Sequence, residues 1–340
     1  MRKLDVFNHF FPDRYFRKML DVAPAHQDMG KRVRNLPALR DLEARFRVMD
    51  EFDDYQQILS MPSPPIEAFA GPRDAVELAR IGNDGFAELV RRHPDRFPAF
   101  VASLPMNDPD AAASEARRAI AELGACGVQL FTNVTGAPLT SPAFLPLFDL
   151  MAELDAPLWI HPARGANVPD YLTEDASKFE IWWTFGWPYE TSAAMARIVF
   201  AGLFDKHPRL KIITHHMGGM IPYFEGRVGH GWDQLGTRTS AVDLTAVLRT
   251  LKRRPIDYFR MFYADTALFG AAAGTACGLA FFGVDRVLFA SDSPFEPQPG
   301  LYIRETIDVI DRLPITDEER ARIYAGNVLA LIGATSRASD

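Results

Sequence analysis

Histidine and aspartate residues stand at the ends of several short apolar runs in this chain. His9 follows "KLDVFN", His161 follows "PLWI", and Asp292 follows "RVLFAS". Two neutral imidazoles and a carboxylate suit a divalent transition metal such as Zn2+ or Mn2+, and three protein ligands leave a coordination position open for catalysis. We therefore expect His9, His161 and Asp292 to bind a divalent metal, with Zn2+ preferred and Mn2+ as the alternative.

The segment "DVFNHFFP" at residues 5–12 offers one metal ligand where a strand could offer two. Side chains alternate between the faces of a strand, so Phe7 and His9 point the same way while Asn8 points the opposite way. A histidine or glutamate at position 7 would place two ligands side by side, but the residue there is phenylalanine. The expected metal site therefore depends on His161 and Asp292 joining His9.

Eight short runs rich in Val, Ile and Phe alternate with longer segments of helical period. This alternation predicts parallel β/α units, with strands at residues 4–7, 57–60, 99–104, 127–131, 157–161, 210–214, 261–264 and 286–290. Helices are predicted at 74–93, 109–124, 141–155, 190–207, 244–252 and 300–311. Eight such units indicate a (β/α)8 TIM barrel, an α/β fold in which residues 1–340 form a single domain with insertions at 23–45 and 171–189.

In a (β/α)8 barrel the chemistry lies at the C-terminal ends of the strands. The three expected ligands all follow predicted strands, and so do Asp265 in "FYADT" and the pair His215 and His216 in "IITHHMGG". If the strand continues through this pair, the two rings point to opposite sides and only one enters the barrel mouth. We expect either His215 or His216 to act as a general acid or base, because imidazole titrates near neutral pH.

The overall composition favours a small molecule as the binding partner. The chain has 340 residues, a formal net charge of -7 and no stripe of Lys and Arg, which argues against nucleic-acid binding. No apolar run approaches the roughly 18 residues that a membrane span needs, and the N-terminus lacks the pattern of a signal peptide. We therefore expect a cytoplasmic protein with no membrane partner.

Five motifs give the chain a family likeness that runs over nearly its whole length. They are "DVFNHFFP", "RFRVMDEF", "WIHPAR", "GWPYETSAAMARIVFAGLFDKHPRLKIITHHMGG" and "LFASDSPF". With these motifs the chain resembles the amidohydrolase superfamily. Within it, the chain is similar to the branch of 2-amino-3-carboxymuconate 6-semialdehyde decarboxylase, which includes several non-oxidative aromatic-acid decarboxylases. The resemblance implies a metal-dependent barrel enzyme that forms a homodimer.

Carried over position by position, the resemblance also assigns roles to residues of this chain. It implies that His9, His161 and Asp292 are metal ligands. It implies that His216, in the His-Met-Gly motif, is the catalytic acid or base. Arg47, two residues before "MD", resembles an arginine that contacts the carboxylate of the substrate.

Phe7 departs from the family pattern, in which His or Glu usually stands at this position. Three interpretations remain open: a metal held by the remaining ligands and waters, His215 acting as a replacement ligand, or a barrel that binds little metal or is inactive. Loss of one ligand from a preorganised set weakens metal binding. We expect a weakened but real site, with Asp292 and His215 counted beside His216 as catalytic residues.

The resemblance implies decarboxylation of an aromatic or muconate-type carboxylic acid, with a metal fixing the substrate and a protonated His216 supplying a proton to carbon. Aromatic side chains can wall a flat ring, and we expect Trp187 and Phe295 to contact the substrate beside Arg47. An alternative is a metal-dependent hydrolase or hydratase of a small cyclic or unsaturated acid, because the same metal can activate water. A further alternative, favoured by Phe7, is a non-catalytic barrel that binds a small acid.

Overall fold

The fold is taken from a computed structural model, which describes residues 1–23, 33, 35–239 and 241–333. Eight strands form one sheet in which neighbours follow chain order and pair in parallel. The strands are β1 (Lys3–His9), β2 (Tyr55–Ser60), β3 (Ala99–Ser103), β4 (Gly127–Phe131), β5 (Leu158–His161), β6 (Ile212–Thr214), β7 (Tyr263–Asp265) and β8 (Val287–Leu288). Each predicted run overlaps one of these strands, so the predicted (β/α)8 barrel is confirmed.

Backbone hydrogen bonds between β1 and the segment that follows β8 close the barrel. The N–H of Val6 donates to the carbonyl of Phe289 at 2.9 Å, and the N–H of His9 donates to the carbonyl of Ser293 at 2.8 Å. A sheet joined end to end in this way leaves no exposed edge strand. The closure also brings the end of β1 next to the segment that contains Asp292.

Side chains of the strands pack in two layers. Val101 and Ile213 belong to a cluster inside the barrel, where Trp159 donates its indole N–H to the carbonyl of Val6 at 3.1 Å. Neighbouring strand residues such as Ile160 point outward and belong to the larger cluster formed with the helices. Parallel strands that are covered on both faces consist of continuous apolar runs, which explains why the eight strands could be predicted.

Helices surround the sheet. Their bounds are Asp13–Val22, Leu42–Met49, Pro72–Arg92, Pro109–Ala121, Leu145–Glu153, Ile181–Thr184, Gly186–Phe200, Leu203–Lys206, Thr245–Thr250, Pro255–Phe259, Ala272–Phe282, Leu301–Asp311, Asp317–Ala321 and Asn327–Ile332. The helix predicted at 190–207 is in fact two helices, because Gly202 takes a left-handed conformation with φ of 69° between them. Helix Ala272–Phe282 is absent from the prediction because its sequence, "AAGTACGLAFF", lacks an amphipathic pattern.

The two predicted insertions are described to different extents. Residues 24–32 and 34 of the first insertion lie outside the described residues, and its last part contains the start of helix Leu42–Met49. The second insertion contains the short helix Ile181–Thr184 and the start of helix Gly186–Phe200. Among the helices of the described residues, none combines the length and the apolar composition that crossing a bilayer requires.

The buried side chain of Glu67 gives a prediction about stability. Burial raises the pKa of Glu67 from its usual 4.5 to about 7, and its Oε1 atom has no hydrogen-bond partner. A group whose pKa is raised in the folded state binds its proton more tightly there, so its contribution to stability is complete below pH 4.5 and is lost as the pH rises through 7. We expect Glu67→Gln to be more stable than the wild type at pH 8, by about 3 kcal/mol.

Urea unfolding at pH 4 and pH 8 checks this prediction. The stability difference between Glu67→Gln and the wild type should be much larger at pH 8 than at pH 4, because a protonated glutamic acid resembles glutamine. Glu122→Gln, at an exposed position, is the matched control. Equal differences at both pH values would contradict a buried carboxyl group that releases its proton near neutral pH.

Candidate active site

The ends of β1, β5 and β6 and the segment after β8 bring a cluster of ionisable side chains together at the barrel mouth. The cluster consists of His9, His161, His215, His216 and Asp292, and all five residues are buried. Ligand atoms of His9, His161 and His215 lie within 4.8 Å of one another, as do those of His215, His216 and Asp292. His9 and His161 therefore share one group with His215, Asp292 shares the other with both members of the histidine pair, and His215 is common to the two groups.

Asp292 makes the largest number of polar contacts within the cluster. Its Oδ1 atom lies 3.0 Å from Nε2 of His9 and 3.4 Å from Nε2 of His215, and its Oδ2 atom lies 3.7 Å from Nε2 of His216. Its backbone N–H donates to the carbonyl of Phe7 at 3.0 Å, and its φ of 63° is in the left-handed region. A residue other than glycine is held in this region by its surroundings, and such residues concentrate at functional sites.

Burial shifts the pKa values of the cluster. It raises the pKa of Asp292, but the imidazoles that contact this carboxylate, above all His215, outweigh burial and hold the pKa well below its usual value. Burial lowers the pKa of His9, and it lowers the pKa of His161 well below its ordinary value, with repulsion from His215 adding to the effect. His9 and His161 are therefore neutral near pH 7, which is the form of imidazole that binds a metal.

His215 differs from the other imidazoles because two carboxylates contact it. Burial lowers its pKa, but Asp265 and Asp292 outweigh burial and raise the pKa to about 9. The Nδ1 atom of His215 lies 2.7 Å from Oδ2 of Asp265. Two buried carboxylates at such close range need a positive charge between them, which an imidazolium or a metal ion supplies. The Nε2 atom of His215 is buried without a hydrogen-bond partner, so the set of donor atoms at the barrel mouth fits a divalent cation.

The histidine pair departs from the strand geometry assumed above. β6 ends at Thr214, and both His216 and Met217 are left-handed, with φ of 53° and 54°. Because the strand does not continue through the pair, the chain turns and brings the rings of His215 and His216 to 3.7 Å between centroids. Both imidazoles enter the mouth, because the condition for opposite directions, a strand that continues through the pair, is not met.

Gly278 allows this turn to pack against helix Ala272–Phe282, and it gives a second prediction. A Cβ atom at position 278 would overlap Cγ and Sδ of Met217, the residue that follows His216. Because Cγ is close to the backbone, Met217 cannot move aside without shifting the turn. We expect Gly278→Ala to destabilise the protein by about 1 to 3 kcal/mol, as overpacking of a core does.

Urea unfolding of Gly278→Ala measures this destabilisation. Gly274→Ala is the control in the same helix, because an added Cβ there meets the end of the Leu268 side chain at 3.1 Å and no backbone atom. Equal stability of the two variants would contradict the argument. Since both changes replace glycine by alanine within one helix, the gain in helix propensity is matched.

Trp187 and Phe295 both lie beside the cluster. The ring of Trp187 is 5.3 Å from the ring of His161 and lies nearly parallel to the ring of His216 at 6.1 Å between centroids. Phe295 lies 5.5 Å from His9. These rings form apolar walls around the ionisable groups, and their contact with a substrate stays a prediction.

Two further aromatic neighbours of the cluster were not predicted. Phe131 lies 5.2 Å from His161, and Phe269 lies 6.0 Å from His216. Phe131 is the last residue of β4, so the rule that sites form at strand ends could have identified it. Phe269 lies in the loop after β7, where no local pattern indicates which side chain turns toward the mouth.

Arg45, rather than the predicted Arg47, is the arginine of helix Leu42–Met49 that contacts the end of β1. The guanidinium of Arg45 is buried and donates to the carbonyl of His9 at 2.6 Å. Arg47 is exposed and lines, with Arg45, a cavity of about 510 Å3, and in the described part of the chain no hydrogen bond or ring contact joins it to the cluster. Contact between Arg47 and a substrate carboxylate stays a prediction. Residues two apart lie on different faces of a helix, but this spacing does not tell which of the two faces is buried, so the role of Arg45 was not predicted.

The barrel and its cluster define a class of protein in which strand ends present histidine and aspartate ligands to a metal. The chain belongs to the amidohydrolase family, whose model matches residues 5–333. The family predicted from the motifs is therefore confirmed.

Similar proteins and structures cover most of the chain. A gamma-resorcylate decarboxylase from Polaromonas sp. is 34% identical over 294 residues, which are 84% of this chain and 85% of that protein. A 2-amino-3-carboxymuconate-6-semialdehyde decarboxylase from Dictyostelium discoideum is 30% identical over 296 residues, 86% of this chain and 77% of that protein. The crystal structure of a dihydroxybenzoic acid decarboxylase from Polaromonas sp., with bound manganese and 2-nitroresorcinol, has a TM-score of 0.77 at 30% identity and covers 98% of this chain and 97% of that one.

Proposed function

We propose that this protein is a metal-dependent non-oxidative decarboxylase, a carboxy-lyase that acts on an aromatic or muconate-type carboxylic acid. The observation that carries this proposal is the convergence of His9, His161, Asp292 and the histidine pair at an aromatic-walled barrel mouth. The similarity to decarboxylases of gamma-resorcylate and of 2-amino-3-carboxymuconate 6-semialdehyde supports it. The substrate class is a small, flat, unsaturated carboxylic acid.

His9, His161 and Asp292 are the proposed metal ligands. When bound, a divalent ion polarises the oxygens of the substrate and withdraws electron density from its carbon skeleton. We propose Zn2+ first and Mn2+ second, because both accept imidazole and carboxylate ligands, and a similar structure contains manganese. Metal analysis of the purified protein decides between them.

His216 is the proposed proton donor. It is the most exposed member of the cluster, at 8%, and its ring stacks against that of Trp187. Burial lowers the pKa of His216 and repulsion from His215 lowers it further, whereas a substrate carboxylate beside the ring favours the protonated form.

The proposed reaction replaces a carboxylate by a proton. The proton moves from the imidazolium of His216 to the carbon that bears the carboxylate. The bond between this carbon and the carboxylate then breaks, its electron pair stays with the carbon skeleton, and carbon dioxide leaves. The imidazole of His216 recovers a proton from solvent, so the step is balanced and needs no oxidant.

Turnover of 2,6-dihydroxybenzoate in deuterated water tests this function, because a solved relative was crystallised with that acid. The metal-loaded protein should release carbon dioxide and place one deuterium on the carbon that lost the carboxylate. A parallel reaction in water labelled with oxygen-18 distinguishes the alternative chemistry. Label in the organic product, without release of carbon dioxide, would contradict a decarboxylase and indicate a hydrolase or hydratase.

We further propose that the protein forms a homodimer. Large apolar side chains are strongly exposed within the second insertion, namely Tyr171, Leu172, Phe179, Phe185 and Tyr189. Exposed apolar side chains in this number often mark a protein interface. Light scattering on the purified protein measures its mass directly, and a monomer at micromolar concentration would contradict the proposal. A cytoplasmic location also stays a prediction.

A further inference from the structure

We propose that His215 is a ligand of the metal centre and takes the coordination position that Phe7 leaves without a donor atom. The donor set of this chain then consists of the imidazoles of His9, His161 and His215 and the carboxylate of Asp292. This inference rests on the proposed metal-dependent function, but it is tested by metal binding rather than by turnover. It also gives His215 a role different from that of its neighbour His216, the proposed proton donor.

The first argument is the stacking of the Phe7 ring on the ring of His215. The ring of Phe7 is fully buried and lies face to face with the ring of His215, with 4.0 Å between centroids and 26° between planes. Phe7 itself offers no donor atom beside His9. Its ring instead supports the flat face of His215, so the edge of the imidazole is turned toward the other ligands.

The second argument is the hydrogen bonding of the two ring nitrogens of His215. Nδ1 is 2.7 Å from Oδ2 of Asp265, and the other oxygen of Asp265 accepts the backbone N–H groups of His216 and Ala267, both at 3.1 Å. Asp265 therefore has a fixed orientation and accepts a hydrogen bond from Nδ1 of His215. This arrangement leaves the lone pair of Nε2 directed away from Asp265, as in metal sites where a carboxylate orients a ligating histidine.

The third argument is the unpartnered Nε2 atom of His215. This atom is buried and makes no hydrogen bond, although Oδ1 of Asp292 lies 3.4 Å away. Ligand atoms of His9, His161 and His215 lie within 4.8 Å of one another. A buried nitrogen without a hydrogen-bond partner is costly, and a metal ion shared with two neighbouring imidazoles would satisfy it.

His216 does not share this arrangement. Its backbone is left-handed, and its ring stacks against Trp187 at 6.1 Å and has an edge contact with Phe269 at 6.0 Å between centroids. Its backbone N–H, rather than its ring, contacts Asp265. His216 groups with His215 and Asp292, but only His215 also groups with His9 and His161, the two other imidazoles of the proposed donor set.

Cobalt binding tests this inference. Chelator-treated protein is titrated with Co2+, whose absorption spectrum reports the number and type of ligands, and bound cobalt is counted by mass spectrometry. We expect His215→Ala to bind Co2+ at least about 100-fold more weakly than the wild type, because loss of a group behind a ligand already costs about 10- to 100-fold. His216→Ala is the matched control and should keep wild-type affinity.

A rescue variant keeps the test decisive if His215→Ala folds poorly. Phe7→His combined with His215→Ala moves the third imidazole from β6 to β1, and it should recover cobalt binding and the spectrum of a three-imidazole site. Wild-type affinity in His215→Ala, together with loss of cobalt in His9→Ala, would overturn the inference and leave the metal-dependent function intact. Failure of the wild type to bind Co2+, Zn2+ or Mn2+ would overturn both.

Discussion

Replacing His216 by asparagine is expected to lower kcat for decarboxylation by about a thousandfold while leaving the metal content unchanged. A positioned general acid contributes on the order of 100- to 10,000-fold, and asparagine keeps a polar side chain but cannot donate a proton to carbon. His216 stacks against Trp187 and lies 3.7 Å from Asp292, so asparagine keeps a polar group on the side of Asp292 but loses the ring contact with Trp187. Steady-state kinetics and metal analysis on the same preparation measure both quantities.

The matched control for this prediction is His230→Asn, which makes the same change at a histidine outside the cluster with a side chain that is 89% exposed. It should show wild-type turnover. Deuterium incorporation by His216→Asn supplies an independent measurement, because residual product should form slowly and with the same position labelled. If His216→Asn lost metal and turnover in parallel, His216 would be a ligand, and the division of roles between the two histidines would be reversed.

Replacing Asp292 by asparagine is expected to weaken metal binding by more than about 100-fold and to abolish turnover at micromolar metal. The carboxylate supplies the negative charge of the proposed site, and it contacts the imidazoles of His9, His215 and His216. Asparagine has the same shape but no charge, and it competes poorly for a divalent cation. Metal titration followed by activity measurements over a range of metal concentrations checks the prediction.

Asp175→Asn, at an exposed position in the second insertion, is the control for loss of one negative charge. Excess metal should restore part of the turnover of Asp292→Asn, since weak binding can be overcome by concentration. Unchanged metal affinity in Asp292→Asn would exclude this carboxylate from the site. Thermal unfolding of the metal-free proteins shows whether the substitution acts on the metal or on the fold.

The barrel could be predicted because each of its strands requires a short apolar segment, and such segments are visible in the sequence. Strands such as β4 and β5 are buried on both faces, so they appear as continuous apolar runs whatever the rest of the chain does. The predictions were weaker where local preference and tertiary packing differ. Gly202 divides one predicted helix, and helix Ala272–Phe282 is made of small and apolar residues that show no helical face.

The candidate site could be predicted in part for a related reason. Parallel strands bring their C-terminal ends to one side, so His9, His161 and Asp292 could be expected at the same mouth once the barrel was assumed. Arg45 and Arg47 are a contrasting case, because only the packing of helix Leu42–Met49 decides which arginine is buried against the carbonyl of His9. A pattern of residues gives spacing, but it does not give the rotation of a helix about its axis.

The sequence by itself determined which chemical groups stand at the strand ends: imidazoles, carboxylates and, at position 7, a phenyl ring. Only the tertiary structure decided how these groups meet. His216, Met217 and Asp292 have a left-handed backbone, which directs neighbouring side chains toward the same barrel mouth. Phe7, on a strand distant in sequence, packs on His215. Such conformations are locally unfavourable and persist because packing and hydrogen bonds from the whole barrel hold them, which is information that no short segment contains.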